Sequence, residues 1–112
     1  MKFVIFSDIH GNFDALLEMF RQVENFDITG FIFCGDIMGY FSHQQEIIHC
    51  FQQLKNLYAV IGNHDFNYLA SFNDIKQQEK FAQKYGKSYR NKLTEYERSF
   101  LERLPKTIEL QC

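Results

Sequence analysis

The sequence predicts an α/β fold in which parallel strands alternate with helices. Three short apolar runs are each followed by a polar segment, and helical patterns lie between them, as in a β-α-β-α-β unit. Such units have parallel strands joined by right-handed crossovers. The chain has 112 residues, which suits one domain with its own core, so we treat residues 1–112 as a single domain.

The first strand and helix have clear signals. Lys2–Ser7 is a nearly continuous apolar run of the kind found in buried parallel strands. A helix is predicted from Phe13 to Glu24, because its apolar residues recur at helical spacing on one face. Asn12 precedes this pattern and is the expected N-cap.

The second half of the unit follows the same plan. A strand is predicted over Phe31–Cys34, a helix from about His43 to Lys55, and a third strand over Leu57–Ile61. Ser42 and Gln45 have the spacing of a capping box, which predicts that this helix begins after Ser42.

Residues after the third strand have a more polar character. Helical patterning is visible over Ile75–Tyr85. Thr94 and Glu97 form a second predicted capping box, which opens a short helix that Pro105 would stop. Residues 107–111 alternate polar and apolar side chains, which predicts a final half-buried strand.

Composition excludes several classes of function. The net charge is −2 with both signs interspersed, so there is no signal for nucleic-acid binding or for a membrane-surface partner. The apolar run at the N-terminus is too short for a signal peptide or a membrane span. Cys34, Cys50 and Cys112 show no disulfide spacing, so we expect reduced thiols and a cytoplasmic protein.

The three polar segments contain the residues that carry chemistry. They are Ser7–Asn12, Gly35–Gly39 and Gly62–Asp65, and each follows a predicted strand. Open α/β sheets bind ligands at the carboxyl ends of their strands. Asp8 and His10 are two residues apart, and side chains at that spacing along a strand point the same way. Together with a carboxylate such as Asp36, which can bridge two cations, they predict a metal site for phosphate chemistry.

The third segment offers several roles. The Asn63 amide could bind a hard cation through its oxygen or a phosphate through its nitrogen. His64 could protonate a leaving group or donate a hydrogen bond to phosphate, and Asp65 could orient the His64 imidazole.

Simpler interpretations compete for the individual residues. A lone Asp or His at a strand end is often a helix cap, and only the conjunction of three such segments argues for a site. Cys34 could be a zinc ligand, although packing in the strand is the better interpretation. His43 and His49 do not share a helix face and are interpreted as surface or helix-flank residues. Tyr40 and its neighbours Met38 and Phe41 could line the entrance of the ligand crevice or pack in the core.

With these residues in place, the chain resembles the calcineurin-like metallophosphoesterase superfamily, whose opening motifs are Asp-x-His, Gly-Asp-x-x and Gly-Asn-His-Asp/Glu. The resemblance implies that Asp8, His10, Asp36 and Asn63 are metal ligands, with Asp36 bridging two divalent ions such as Mn, Zn, Fe or Ni. It also implies that His64 contacts the phosphate or protonates the leaving group while a metal-bridging hydroxide attacks phosphorus.

The second motif indicates a subgroup. Protein phosphatases and diadenosine tetraphosphate hydrolases carry Gly-Asp-x-Val-Asp-Arg-Gly, whereas here Gly39, Tyr40 and Phe41 replace the Asp-Arg-Gly. The chain looks more like the small bacterial phosphodiesterases whose motif is Gly-Asp-Ile-Val-Gly-Tyr. The family fold is a four-layer α/β/β/α sandwich, and the resemblance covers its N-terminal half: the β-α-β-α-β core, then helices and a final strand.

The resemblance also predicts an incomplete site. The family adds a later His and a Gly-His-x-His segment, and this sequence contains no histidine after His64. We therefore expect a truncated or split domain with weak or partial metal binding. One hypothesis is a phosphoesterase that hydrolyses phosphodiesters or phosphomonoesters of small molecules or nucleotides. Its activity would be impaired in this chain alone and would need a separately encoded C-terminal half or self-association. The alternative is a non-catalytic remnant or interaction module that retains a weak metal site.

Overall fold

A computed structural model describes residues 1–111, and Cys112 lies outside the described residues. The mixed α/β prediction is confirmed. In chain order the elements are β1 (Phe3–Phe6), α1 (Phe13–Val23), β2 (Gly30–Phe33), α2 (Gln44–Gln53), β3 (Leu57–Ala59), α3 (Asn63–Ser71), α4 (Ile75–Tyr85), a 3₁₀ turn (Lys87–Arg90) and α5 (Glu95–Glu102). None of the described helices is long and apolar enough to cross a bilayer.

The three strands form one parallel sheet in the order β1-β2-β3. Their register places Phe6, Phe33 and Ala59 side by side, on one face of the sheet. Helix α2 packs on this face, since the ring of Phe51 lies 5.1 Å from that of Phe33 and 6.0 Å from that of Phe6. Phe33 is fully buried, which contributes about 1.5–3 kcal/mol to folding. This packing aligns the carboxyl ends of the strands at one edge.

The opposite face of the sheet is open to solvent. Ile5, Ile32 and Tyr58 share a register position on that face, and the side chains of Ile5 and Tyr58 are 69% and 38% exposed. Cys34, which we expected to pack, is also exposed.

Helix boundaries follow some of the predicted caps but not all. The Asn12 Oδ1 accepts a hydrogen bond from the Ala15 N–H at 3.1 Å and caps α1 as expected. The predicted Ser42–Gln45 box is wrong, because α2 begins only at Gln44. The Gln45 side-chain amide instead donates a hydrogen bond to Glu97 of α5 at 3.0 Å, so it does not bond the backbone N–H of Ser42.

Two further differences lie in the second half of the chain. Helix α3 begins at Asn63, inside the third polar segment, where the sequence analysis predicted no helix. The final strand is wrong: residues 107–111 have no regular structure in the part of the chain described. A strand requires a ladder of backbone partners, and the backbone bond from the Ile61 N–H to the Pro105 carbonyl, at 2.8 Å, lies before this segment.

Candidate metal centre

Backbone hydrogen bonds bring the three polar segments together at the carboxyl edge of the sheet. The Asp8 N–H donates to the Gly35 carbonyl at 2.8 Å, and the His10 N–H donates to the Asp36 carbonyl at 3.1 Å. The His64 N–H, in the first turn of α3, donates to the Asp36 Oδ1 at 2.9 Å. Asp36 is therefore held by both of the other segments.

Three side chains converge in a way that suits a cation. One ligand atom each from Asp8, His10 and Asp36 can be chosen so that all three lie within 4.8 Å of one another. The His10 Nε2 lies 3.3 Å from the Asp8 Oδ1, while the His10 Nδ1 lies 2.8 Å from the Met38 carbonyl. A carbonyl can only accept, so Nδ1 carries the proton when the ring is neutral. Nε2 is then free to bind a metal, the arrangement common for histidine ligands.

The convergence of Asp8 and His10 has a different cause from the one we expected. β1 ends at Phe6, so alternation along a strand does not align the two side chains. Instead Asp8, His10 and Asp36 all have left-handed backbones, with φ of 58°, 50° and 76°. Each such residue costs of order 1–3 kcal/mol outside glycine, and this strain clusters at functional sites. The turns direct the three side chains to one point.

The two carboxyls have opposite electrostatic surroundings. The hydrogen bond from Ser7 Oγ, at 2.5 Å, is the main cause that lowers the pKa of the exposed Asp8. Burial raises the pKa of Asp36, and the nearby charge of Asp8 adds to that rise, while the bond from the His64 N–H opposes it. A cation between two close carboxylates would favour the ionised form of both.

Asn63 lies close enough to Asp36 to add an amide to this group of side chains. One terminal atom of its amide lies 3.0 Å from the Asp36 Oδ2 and 3.3 Å from the Asp36 Oδ1. With nitrogen in that position the amide donates to the carboxylate. With oxygen in that position, the amide oxygen and the Asp36 carboxylate oxygens are all acceptors, and a cation bound between them would be needed to offset their repulsion. Two carboxylates, one imidazole and one amide therefore fit a divalent ion of the Mn or Zn type.

Asp65 has a role that the sequence did not suggest. In the part of the chain described, its carboxylate makes no hydrogen bond to the His64 ring, and the side chain is fully buried. Its partners are the backbone N–H groups of Asp36 (3.0 Å), Ile37 (2.9 Å), Met38 (2.9 Å) and Gly62 (3.1 Å). Burial raises the pKa of Asp65, and the backbone donors oppose that rise. Asp65 thus ties the second segment to the start of α3.

The 3₁₀ turn after α4 supplies two residues that sequence reasoning missed. The Tyr89 hydroxyl lies 2.6 Å from the His64 Nδ1, and the Ser88 Oγ accepts from the Gly39 N–H at 2.9 Å. Both side chains are fully buried. Burial lowers the pKa of His64, and the Asp36 charge works against that shift. No motif marks Tyr89, because it lies in a polar stretch with only loose patterning.

The other candidate residues differ in how close they lie to this group. The Tyr40 ring is 52% exposed and lies 4.9 Å from the His10 ring and 5.5 Å from the His64 ring, so it lines the mouth. Met38 is fully buried and packs in the core. His49 instead bonds Glu97 at 2.7 Å on the α2–α5 contact.

Sequence comparison relates the chain to known proteins. The sequence model described as calcineurin-like phosphoesterase matches residues 1–107. An uncharacterized protein of Methanocaldococcus jannaschii is 32% identical over 109 residues, which cover 94% of this chain and 42% of that protein.

The fold also has a solved counterpart. A crystal structure described as that of "a putative diadenosine tetraphosphatase" superposes with a TM-score of 0.69 at 22% identity, covering 92% of this chain and 42% of the other. At that identity the likeness shows the fold alone. The chain thus spans less than half the length of each of these proteins.

Proposed function

Because the chain belongs to the calcineurin-like phosphoesterase family, we propose that it takes part in metal-dependent hydrolysis of phosphate esters. The observation that carries the proposal is the convergence of Asp8, His10 and Asp36 within 4.8 Å at the carboxyl edge of the sheet. This is where open α/β sheets bind their ligands.

The residues that would hold the metal are Asp8, His10, Asp36 and Asn63, with Asp36 shared between two ions. Two carboxylates and an imidazole match divalent Mn, Zn, Fe or Ni better than calcium, which prefers oxygen alone. When bound, such ions activate water and neutralise the charge that develops on a transferring phosphoryl group. We propose weak or partial loading in this chain, because Asp36 and Asn63 would hold the second ion almost unaided.

The chain's other residues would act on the substrate. His64 has its Nδ1 engaged by Tyr89, so Nε2 is the ring atom left to donate to a phosphate oxygen or a leaving group. Asn63 would support the same phosphate through its amide. Tyr40 stands half exposed at the mouth and would contact the organic part of the ester. We propose a small phosphate ester or a nucleotide as the substrate class.

We propose that full activity needs a second polypeptide segment that carries the remaining histidines of the family. The chain spans 42% of the length of the M. jannaschii relative. The open face of the sheet, marked by the exposed Ile5 and Tyr58, offers an apolar surface for such a segment. The free thiols of Cys34 and Cys50 are compatible with the cytoplasm as the compartment.

The test is hydrolysis of bis-p-nitrophenyl phosphate with Mn²⁺ present. We expect slow turnover that Asp36→Asn abolishes. The matched control is Asp27→Asn, which makes the same change of charge at an exposed loop position and should behave like the wild type. Equal rates for wild type and Asp36→Asn would contradict the proposed function.

A second candidate is an interaction module that keeps the metal site without catalysis. The open sheet face that carries Ile5 (69% exposed) and Tyr58 (38% exposed) favours it, because an exposed apolar patch marks an association surface. Metal binding without turnover, even after addition of a segment carrying the later histidines, would favour this candidate over the enzyme.

A further inference from the structure

The contact between His64 and Tyr89 joins two residues 25 positions apart in the chain. Tyr89 is fully buried, and its ring packs against that of Phe81 with centroids 5.1 Å apart. The adjacent Ser88 is fixed by the bond to the Gly39 N–H. The hydroxyl of Tyr89 therefore occupies a defined position, sheltered from water.

Gly39 leaves the space that makes this contact possible. A Cβ at position 39 would lie 3.2 Å from the His64 Nδ1 and 3.3 Å from the His10 Nδ1, and the φ of 95° disfavours any other residue. The Tyr89 hydroxyl, which comes from a different segment, reaches the His64 Nδ1.

The hydrogen-bond geometry indicates where the proton lies. The Tyr89 hydroxyl has one proton. Among the described residues, the His64 Nδ1 at 2.6 Å and the His64 carbonyl at 3.4 Å can accept it, whereas the Asn67 side chain acts as a donor to the hydroxyl oxygen. Hydrogen bonds from a hydroxyl are normally about 2.5–3.0 Å long, so the carbonyl is a poor acceptor and Nδ1 is a good one. A neutral imidazole that accepts at Nδ1 must carry its own proton on Nε2.

We propose that Tyr89 is a positioning residue that donates its hydroxyl proton to the His64 Nδ1 and holds His64 as the Nε2–H tautomer. This inference deepens the proposed function and rests on it for one point, that the Nε2–H faces a phosphate. A fixed tautomer matters because a ring that exchanges protons between its nitrogens presents the donor only part of the time.

The test is the tautomer itself, measured by long-range ¹H–¹⁵N correlation on the full ¹⁵N-labelled chain without metal. The expected wild-type spectrum shows the His64 Nε2 as the protonated nitrogen and Nδ1 as the unprotonated one. In Tyr89→Phe, which keeps the ring and removes the hydroxyl, the two His64 nitrogens should move toward each other as the tautomers mix.

Tyr85→Phe is the matched control. The Tyr85 ring lies 4.8 Å from the His64 ring, and within the described residues its hydroxyl makes no bond to that imidazole. The control should leave the His64 nitrogens at their wild-type positions. A Nδ1–H tautomer in the wild type, or an unchanged His64 spectrum in Tyr89→Phe, would overturn the proposal.

The wild-type spectrum decides the question even where Tyr89→Phe does not fold. The measurement needs no turnover, so it is independent of the proposed hydrolysis. A chain that shows the Tyr89-dependent tautomer but hydrolyses no ester, even after a segment carrying the later histidines is added, would confirm the role of Tyr89 and refute the proposed function.

Discussion

Replacing Asp65 with asparagine tests whether this residue anchors the centre or acts on His64. Each carboxylate oxygen accepts two backbone N–H groups: Oδ1 those of Ile37 and Met38, and Oδ2 those of Asp36 and Gly62. Asparagine has nearly the same shape but only one acceptor oxygen. Its amide NH₂ must therefore face two backbone donors, in whichever orientation it is placed.

The cost follows from those two donors. A buried donor left without a partner costs about 1–3 kcal/mol, so Asp65→Asn should destabilise the chain by roughly 2–6 kcal/mol. That is a large part of the total stability of a small domain, about 5–15 kcal/mol. With a urea m-value of about 2 kcal/mol/M, the unfolding midpoint should fall by about 1–3 M.

Urea unfolding followed by circular dichroism measures this directly. Asp27→Asn again serves as the control, since substitutions at exposed positions are usually within about 0.5 kcal/mol of the wild type. If Asp65→Asn unfolds at the wild-type urea concentration, the four backbone bonds do not stabilise the fold as argued. A variant of normal stability but lower turnover would instead support the role that the sequence suggested, in which Asp65 orients the His64 imidazole.

Three further predictions address metal, activity and pH. Titration calorimetry should show weak binding of Mn²⁺ or Zn²⁺ by the wild type and none by Asp36→Ala; binding that survives this change would contradict the site. The chain alone should hydrolyse bis-p-nitrophenyl phosphate poorly, because Asp36 and Asn63 would hold the second ion almost unaided. Misplacing an ion by about 1 Å can cost a hundredfold in rate. A segment with the later histidines, added in trans, should raise the rate, and His64→Ala should abolish that gain; fast turnover by the chain alone would refute this. Burial alone would raise the pKa of Glu97, but hydrogen bonds from Gln45, Thr94 and His49 outweigh it and lower that pKa. The unfolded state therefore binds more protons than the folded state, and the stability that Glu97 contributes is lost as pH falls below about 4.3. Glu97→Gln should therefore flatten the fall of the urea midpoint between neutral and acid pH, and an equally steep fall would contradict the assignment.

The sequence was sufficient to predict the parallel sheet and its covering helices, because the spacing of apolar residues marks both kinds of element. The helix Ile75–Tyr85 has the bounds that its pattern predicts, and the Thr94–Glu97 capping box forms as expected. These signals are local, so each can be recognised without knowledge of the rest of the fold.

Helix α3 was missed because its cap has no side chain. Gly62 is the N-cap, and Asp65 three residues later accepts from the Gly62 N–H, which is half of a capping box without the usual Ser or Thr.

Contacts between distant segments could not be predicted from one sequence. The left-handed turns at Asp8 and His10 depend on backbone bonds to Gly35 and Asp36 in another loop. Tyr89 reaches His64 only because α4 and the 3₁₀ turn fold back over the second segment. The pairing of Gln45 with Glu97, in place of Ser42, has the same long-range origin.

The most direct test of the central claim is the anomalous scattering of zinc in crystals of the chain soaked with Zn²⁺. The account predicts a peak bonded to the Asp8 carboxylate, the His10 Nε2 and the Asp36 carboxylate, with bonds of about 2.0–2.2 Å. A peak at another place, or one that touches Asp8 and His10 but not Asp36, would contradict a shared metal centre.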